Sequence, residues 1–287
     1  FINAMRCKNY DDYLKATEGY IAPAQNFGFA SVQGDVALRV NGRFPAKYDQ
    51  DGRFVENGND SKNNWHAWIP RKENPQIINP KRGFISSANQ VSADKSYPYY
   101  YTGRFERYRN RSVNDKLTSM SNISIDDMKK MQQDVYSHKA ADFLGHIKSL
   151  NLKDNMNTEE KKLFDILTQW DYQYLADLEG PVLFDLFYKK LSDNTWDEID
   201  ALRKEMNVGF PNDWRLLDLM ISEPSNKYFD HKGTRNVEDA IDIILKSLKE
   251  SFAEFDKNKK EGKAMNWGTY KPLHIYHLTR VPALSSM

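Results

Sequence analysis

The residues Asn79 to Gln90, Asn-Pro-Lys-Arg-Gly-Phe-Ile-Ser-Ser-Ala-Asn-Gln, pose a chemical question. The first five carry turn chemistry, and Phe84 and Ile85 then read as the start of a short strand. A strand serving only a core has little use for a tail of Ser86, Ser87, Ala88 and Asn89. A site that needs a hydrogen-bond donor held at a strand end does, so Asn89 is the first candidate.

Four arginines follow in Tyr97 to Arg111: Arg104, Arg107, Arg109 and Arg111, interleaved with aromatics. Such a mixture can stack bases and grip phosphates. The chain has 41 basic against 40 acidic residues and a net charge of +1, so no broad basic field supports that reading. A local role fits better: guanidinium groups near the end of the Asn89 strand can orient polar side chains. Of the six histidines, only His274 and His277 have ligand-like spacing. Pro272 and the β-type residues between them favour extended backbone, which points the two rings to opposite faces. No cysteine or carboxylate lies near them to complete a metal shell, so no metal is expected. His66, His138, His146 and His231 stand apart in the sequence. Acidic pairs such as Asp126-Asp127 and Glu159-Glu160 sit at helix starts, where capping explains them. Nucleotide-loop, nucleophile-elbow and zinc-helix motifs are missing.

The elements that would position these residues differ along the chain of 287 residues. Residues 1–118 are rich in Gly, Asn, Pro and aromatics, and read as the sheet-forming part. A helix from Ile2 to Lys15 opens it, already under way at Phe1. Two strands flank Gln33-Gly34 as a hairpin, with Phe27, Phe29, Val36 and Leu38 expected toward a core. Asp49 to Trp65 reads as a polar surface loop. Residues 119–287 read as mainly helical. Ser124 and Asn157 carry start signals. Leu163, Ile166, Leu167 and Trp170 share one face. Pro181 sits in the first turn of another helix, and Ile241, Leu245, Leu248 and Phe252 define the buried side of a long amphipathic one. Helices outnumber strands without alternating with them, so the fold class is α+β. A hydrophobic fraction of 40% is enough for an ordinary core. The single cysteine, Cys7, excludes an internal disulfide or a redox pair. No apolar run approaches the ~20 residues of a membrane span.

Five blocks, in order, resemble the penicillin acylase family of N-terminal-nucleophile amidohydrolases. They are NFGFASVQGDVALRVNGRFPAKY, NPKRGFISSANQ followed by YPYY, YRNRSVNDKL, DDMKKMQQDVYSHKAADFL, and WGTYKPLHIYHLTRVPAL. The resemblance implies a segment of a four-layer αββα fold. It also implies cleavage of the amide of an acylated amine, without a cofactor. In this family the amino-terminal Ser, Cys or Thr of a self-processed chain attacks, its α-amine acts as base through water, and the oxyanion rests on a backbone N–H and an Asn side chain. Asn89 matches that Asn. Arg111 matches an Arg that organises the nucleophile region, and Phe1 and Gln25 fall near positions lining the acyl pocket. Implied substrates are β-lactam side-chain amides and N-acyl-homoserine lactones. Implied partners are a small subunit and the nucleophile-bearing segment of the same precursor, in the periplasm or outside the cell.

The sequence departs from the family at three places. Phe1 is no nucleophile and no internal Ser begins a Ser-x-x-Trp pattern. The glycine-rich segment expected after the His block is missing. Tyr99, Tyr100 and Tyr101 stand where the family's calcium-binding Asp is expected. The chain therefore reads as an interior portion of the large subunit, inactive by itself. The rival from another class is a non-catalytic helical scaffold; nucleic-acid and membrane partners are not expected.

Overall fold

The computed structural model describes residues 2–48, 52–53, 55–65, 67–103, 105–206 and 211–281. Phe1, His66 and Arg104 lie outside them. The chain divides into two compact units, Phe1–Gln132 and Gln133–Met287.

The first unit is organised around an antiparallel hairpin. The opening helix is shorter than its sequence suggests. A single 3-10 turn at Ala4–Arg6 precedes α1, Tyr10–Thr17, whose start is set by Asn9, with its side chain accepting from the Asp12 N–H at 2.9 Å. Strands β1 (Gln25–Ala30) and β2 (Val36–Asn41) pair from Gln25 opposite Asn41 to Ala30 opposite Val36. The Ser31–Asp35 loop is closed by the Ser31 N–H on the Asp35 carbonyl and turns at Gly34, φ 97°. This register sets Ala37 across from Phe29 and Arg39 across from Phe27. Facing partners share a side of the sheet, so the face that Phe29 presents to the Tyr10 and Tyr13 rings continues through Ala37 and Arg39. Ala37, Arg39, Val40 and Asn41 are buried, while Val36 and Leu38 are only half-buried. The expectation of Val36 and Leu38 on the core face was one residue out of phase. The two-residue turn it assumed is replaced by a longer loop.

Strands β3 (Pro45–Ala46) and β4 (Ala67–Trp68) form a small second sheet, and β5 (Gln76–Ile78) joins the free side of β2. The described parts of the polar loop between β3 and β4 lie at the surface. Helices α2 (Tyr108–Ser119) and α3 (Ile125–Gln132) complete the unit. Ser124 and Asp127 form the reciprocal cap expected before α3, the Asp127 N–H donating to Ser124 and the Ser124 N–H to Asp127.

The second unit is helical: α4 (His138–Lys148), α5 (Thr158–Gln169), α6 (Gly180–Thr195), α7 (Asp197–Met206), α8 (Asp213–Ser222), α9 (Ala240–Lys260) and α10 (Trp267–Tyr270). Asn157 and Glu160 form the capping box of α5, and Pro181 sits in the first turn of α6. Leu163, Leu167 and Trp170 are buried as the spacing requires, but Ile166 is at the surface. On α9 the buried side runs through Ile243, Ile244, Leu248, Phe252 and Phe255, rotated from the face expected; Ile241 is exposed. The small residues Ala240, Ser247 and Ser251 lie on that side, and a count of large apolar residues overlooks them.

Gly180 opens α6 against the Trp170 indole. A Cβ there would lie 2.6 Å from Trp170 Cγ and 2.9 Å from its Cβ, and these atoms cannot swing aside as a side-chain tip can. Gly180→Ala is expected to lower stability by about 1–3 kcal/mol through overpacking. A chemical denaturation midpoint equal to that of the unsubstituted protein would remove this account.

Candidate active site

The segment carrying Asn89 is not a strand. Residues 84–87 join no ladder. Two backbone groups of the segment are met by the Gln90 side chain instead. Gln90 Nε2 donates to the Ser86 carbonyl at 3.0 Å, and the Ala88 N–H donates to Gln90 Oε1 at 2.7 Å. One amide thus closes a turn at Ser86–Gln90 in place of a neighbouring strand. Pairing by a side chain so close in sequence is what the strand reading missed.

Two flanking elements hold this turn. From β1, Asn26 Nδ2 donates to Ser87 Oγ at 2.9 Å. Gly28 leaves the space into which Ile85 packs, since a Cβ at Gly28 would meet Ile85 Cδ1 at 3.3 Å. From α2, Asn114 Oδ1 accepts from Ser86 Oγ at 3.0 Å and from Arg82 Nη1 at 2.9 Å. Ser86 is buried, while Ser87 and Asn89 are exposed.

Asn89 itself has φ 63°, the left-handed region that Asn adopts more readily than bulkier residues. Its carbonyl accepts the Glu106 N–H at 2.9 Å, and its Oδ1 accepts from Arg109 Nη2 at 2.8 Å. A guanidinium has donors and no acceptor. It can face only the oxygen of the amide, so Arg109 fixes which end of Asn89 is which. The Nδ2 group is directed elsewhere and makes no hydrogen bond to any described residue.

Arg109 is held in turn by Glu106. The Glu106 carboxylate accepts the N–H groups of Tyr108, at 2.7 Å, and Arg109, at 2.9 Å, which the first turn of α2 leaves unpaired. It also lies 3.5 Å from Arg109 Nε. Glu106, Arg109 and Asn89 thus form a chain in which a helix N-terminus, a fork of donors and an amide are each oriented by the one before.

Arg109 was one of four arginines in the sequence with nothing to single it out. Its clue was local: a cluster of guanidinium groups shortly after an isolated polar turn. Arg111, the residue matched by family resemblance, lies exposed two residues further along α2, its Nε 3.8 Å from Asp115 Oδ2. Gln25 is exposed at the start of β1, beside the Asn26 that ties down Ser87. Phe1 lies outside the described residues.

Among the described residues no three His, Cys, Asp or Glu side chains converge to hold a metal. In the Tyr99–Tyr101 stretch, the Tyr99 hydroxyl donates to the Glu73 carboxylate. No described helix is long and apolar enough to cross a membrane.

The thermostable penicillin G acylase from Alcaligenes faecalis has the same fold, with a TM-score of 0.67 over 92% of this chain and 52% of that one, at 17% identity. The sequence pattern of the penicillin amidase family spans residues 1–286, and the chain belongs to that family of amide hydrolases. It is 25% identical over 178 residues to the penicillin acylase 2 proenzyme of Pseudomonas sp. (strain SE83) and 21% identical over 300 residues to the acyl-homoserine lactone acylase QuiP of Pseudomonas fluorescens (strain Pf-5). These matches cover 62% and 97% of the chain but only 23% and 36% of the relatives' lengths.

Proposed function

We propose that residues 1–287 are part of an acylase that cleaves the amide of an acylated amine, with Asn89 Nδ2 as one donor to the oxyanion. The observation that carries this reading is the Arg109 hydrogen bond to Asn89 Oδ1, which turns the donor end of the amide outward. In the proposed step a nucleophile adds to the carbonyl carbon and the carbonyl π pair moves onto oxygen. A neutral N–H fixed beforehand stabilises that charge without reorganising. Collapse of the intermediate then breaks the C–N bond, and the amine leaves with a proton.

The attacking group is proposed to be the N-terminal residue of a processed chain, lying outside residues 1–287, with its α-amine as base through water. Its partners would be the remaining segments of the same precursor, the small subunit among them. Arg111 is proposed to help organise the nucleophile region, and Phe1 and Gln25 to line the acyl pocket. β-Lactam side-chain amides and N-acyl-homoserine lactones are the candidate substrates, since the relatives named above are acylases of these two kinds. The proposed compartment is the periplasm or the cell exterior.

Amine release tests the reading. The complete protein is expected to liberate amine from phenylacetyl amides or N-acyl-homoserine lactones, and residues 1–287 alone to liberate none above buffer. Absence of release by the complete protein across both substrate classes refutes the acylase reading. Turnover by residues 1–287 alone, lost in Ser87→Ala, would place the nucleophile inside the chain.

A further inference from the structure

The dipeptide Asn-Gly occurs twice in the chain, at Asn41-Gly42 and at Asn57-Gly58. In such a pair the Gly nitrogen, screened by no side chain, can close a five-membered ring on the preceding side-chain amide. The fold places the two copies in opposite surroundings.

Asn41 is fully buried at the end of β2. Its Nδ2 donates to the Tyr13 hydroxyl at 3.0 Å, and its backbone is held opposite Gln25 in the ladder. Gly42 is packed as well: a Cβ there would lie 3.1 Å from Ala24 and 3.2 Å from Phe44. Bringing the Gly42 nitrogen onto the Asn41 side chain requires a rotation about the Asn41 Cα–C bond, which the pairing with Gln25 opposes. Burial also excludes the water that must take up and return protons.

Asn57 opens an exposed turn, its carbonyl accepting the Asp60 N–H at 3.1 Å. A Cβ on Gly58 would meet nothing within 4 Å, so the nitrogen that must move is unobstructed. Asn57 Oδ1 accepts the Asn59 N–H at 3.1 Å, which folds the side chain back toward its own backbone. The same N–H is placed where negative charge develops when the amide carbon is attacked.

We propose that Asn57 is a site of spontaneous deamidation, and that Asn41, with the same neighbour, is protected by the fold. The Gly58 nitrogen bonds to Asn57 Cγ and gives its proton to water. The carbonyl π pair moves onto Oδ1 and returns, the Cγ–Nδ2 bond breaks, and ammonia leaves with a proton from water. Water then opens the succinimide at either carbonyl and leaves an aspartyl or isoaspartyl residue at position 57. The added negative charge takes the chain from a net charge of +1 to neutrality, where proteins associate most readily. The proposal does not depend on Asn89 or on the acylase reading.

Peptide mapping of the full chain after incubation in mildly alkaline buffer tests this without any substitution, because trypsin separates the two pairs into residues 40–43 and 54–62. In the folded protein, residues 54–62 are expected to gain the mass of an amide-to-acid conversion, localised by fragmentation to position 57, ~10-fold or more faster than residues 40–43. In denaturant the two peptides are expected to convert at rates within a few-fold of each other, since the protection of Asn41 lies in the fold. Asn57→Gln is expected to remove most of the acidic species seen on isoelectric focusing, because glutamine needs a less favourable six-membered ring. Four outcomes overturn the proposal: no conversion at position 57 in the folded protein, conversion of Asn41 there as fast as of Asn57, discrimination that persists in denaturant, or acidic species unchanged in folded Asn57→Gln.

Discussion

Replacing Asn89 with Ala in the complete protein is expected to lower turnover by ~100-fold or more, as removal of one oxyanion donor typically does. Substrate affinity is expected to change far less, because the charge that Nδ2 would meet exists only on the way through the transition state. The opposing account gives Asn89 a purely structural task, that of occupying the left-handed position which closes the Ser86–Gln90 turn. In that case Asn89→Ala costs on the order of 1 kcal/mol of stability and leaves turnover near normal. Asn89→Asp separates the two further. It tolerates the same backbone and keeps an oxygen for Arg109, but sets a carboxylate where a donor is needed. It is expected to be at least as damaging to rate as Ala while unfolding at an unchanged midpoint. An active Asn89→Asp protein would show that no donor is required there.

Some features of the fold and the choice of Asn89 as a candidate were legible before the fold was known, and the reasons are particular. Asn89 stood out because small residues and an amide are wasted in a core. The caps of α3 and α5 were legible because a cap is local: Asn157 and Glu160 find each other three residues apart. The hairpin was legible too, but its inner face was not. That face depends on the number of residues in the Ser31–Asp35 loop that stay outside the ladder, and one residue exchanges Leu38 for Ala37. Gln90 hid the nature of the Asn89 segment in the same way. The apolar pattern Phe84-Ile85 suits a strand, while a side chain two to four residues away takes the hydrogen bonds a ladder would have made. Arg109 was the least legible of all. Its hydrogen bond to Asn89 is made where α2 meets the Ser86–Gln90 turn, between residues 20 apart in sequence.

Arg109→Leu, the second large effect expected, tests whether that meeting has a function. Leucine removes the donor on Oδ1 and leaves the Asn89 amide free to rotate, so Nδ2 would face the substrate only part of the time. Turnover is expected to fall ~30-fold or more with KM little changed, since pre-organisation of the donor matters most where charge develops. Lys is expected to rescue in part, because an ammonium also presents only donors to the amide oxygen but lacks the rigid fork that Glu106 grips. Glu106→Gln keeps an acceptor for the Tyr108 and Arg109 N–H groups and removes the charge beside Arg109, so a several-fold loss is expected. The decisive measurement is the double variant. If Arg109 acts through Asn89, adding Arg109→Leu to Asn89→Ala changes turnover by less than ~3-fold, because no amide remains to be oriented. Losses that multiply in the double variant would mean that Arg109 acts on something other than Asn89. Full activity in Arg109→Leu alone would leave the hydrogen bond as packing of an exposed side chain, with no part in the chemistry.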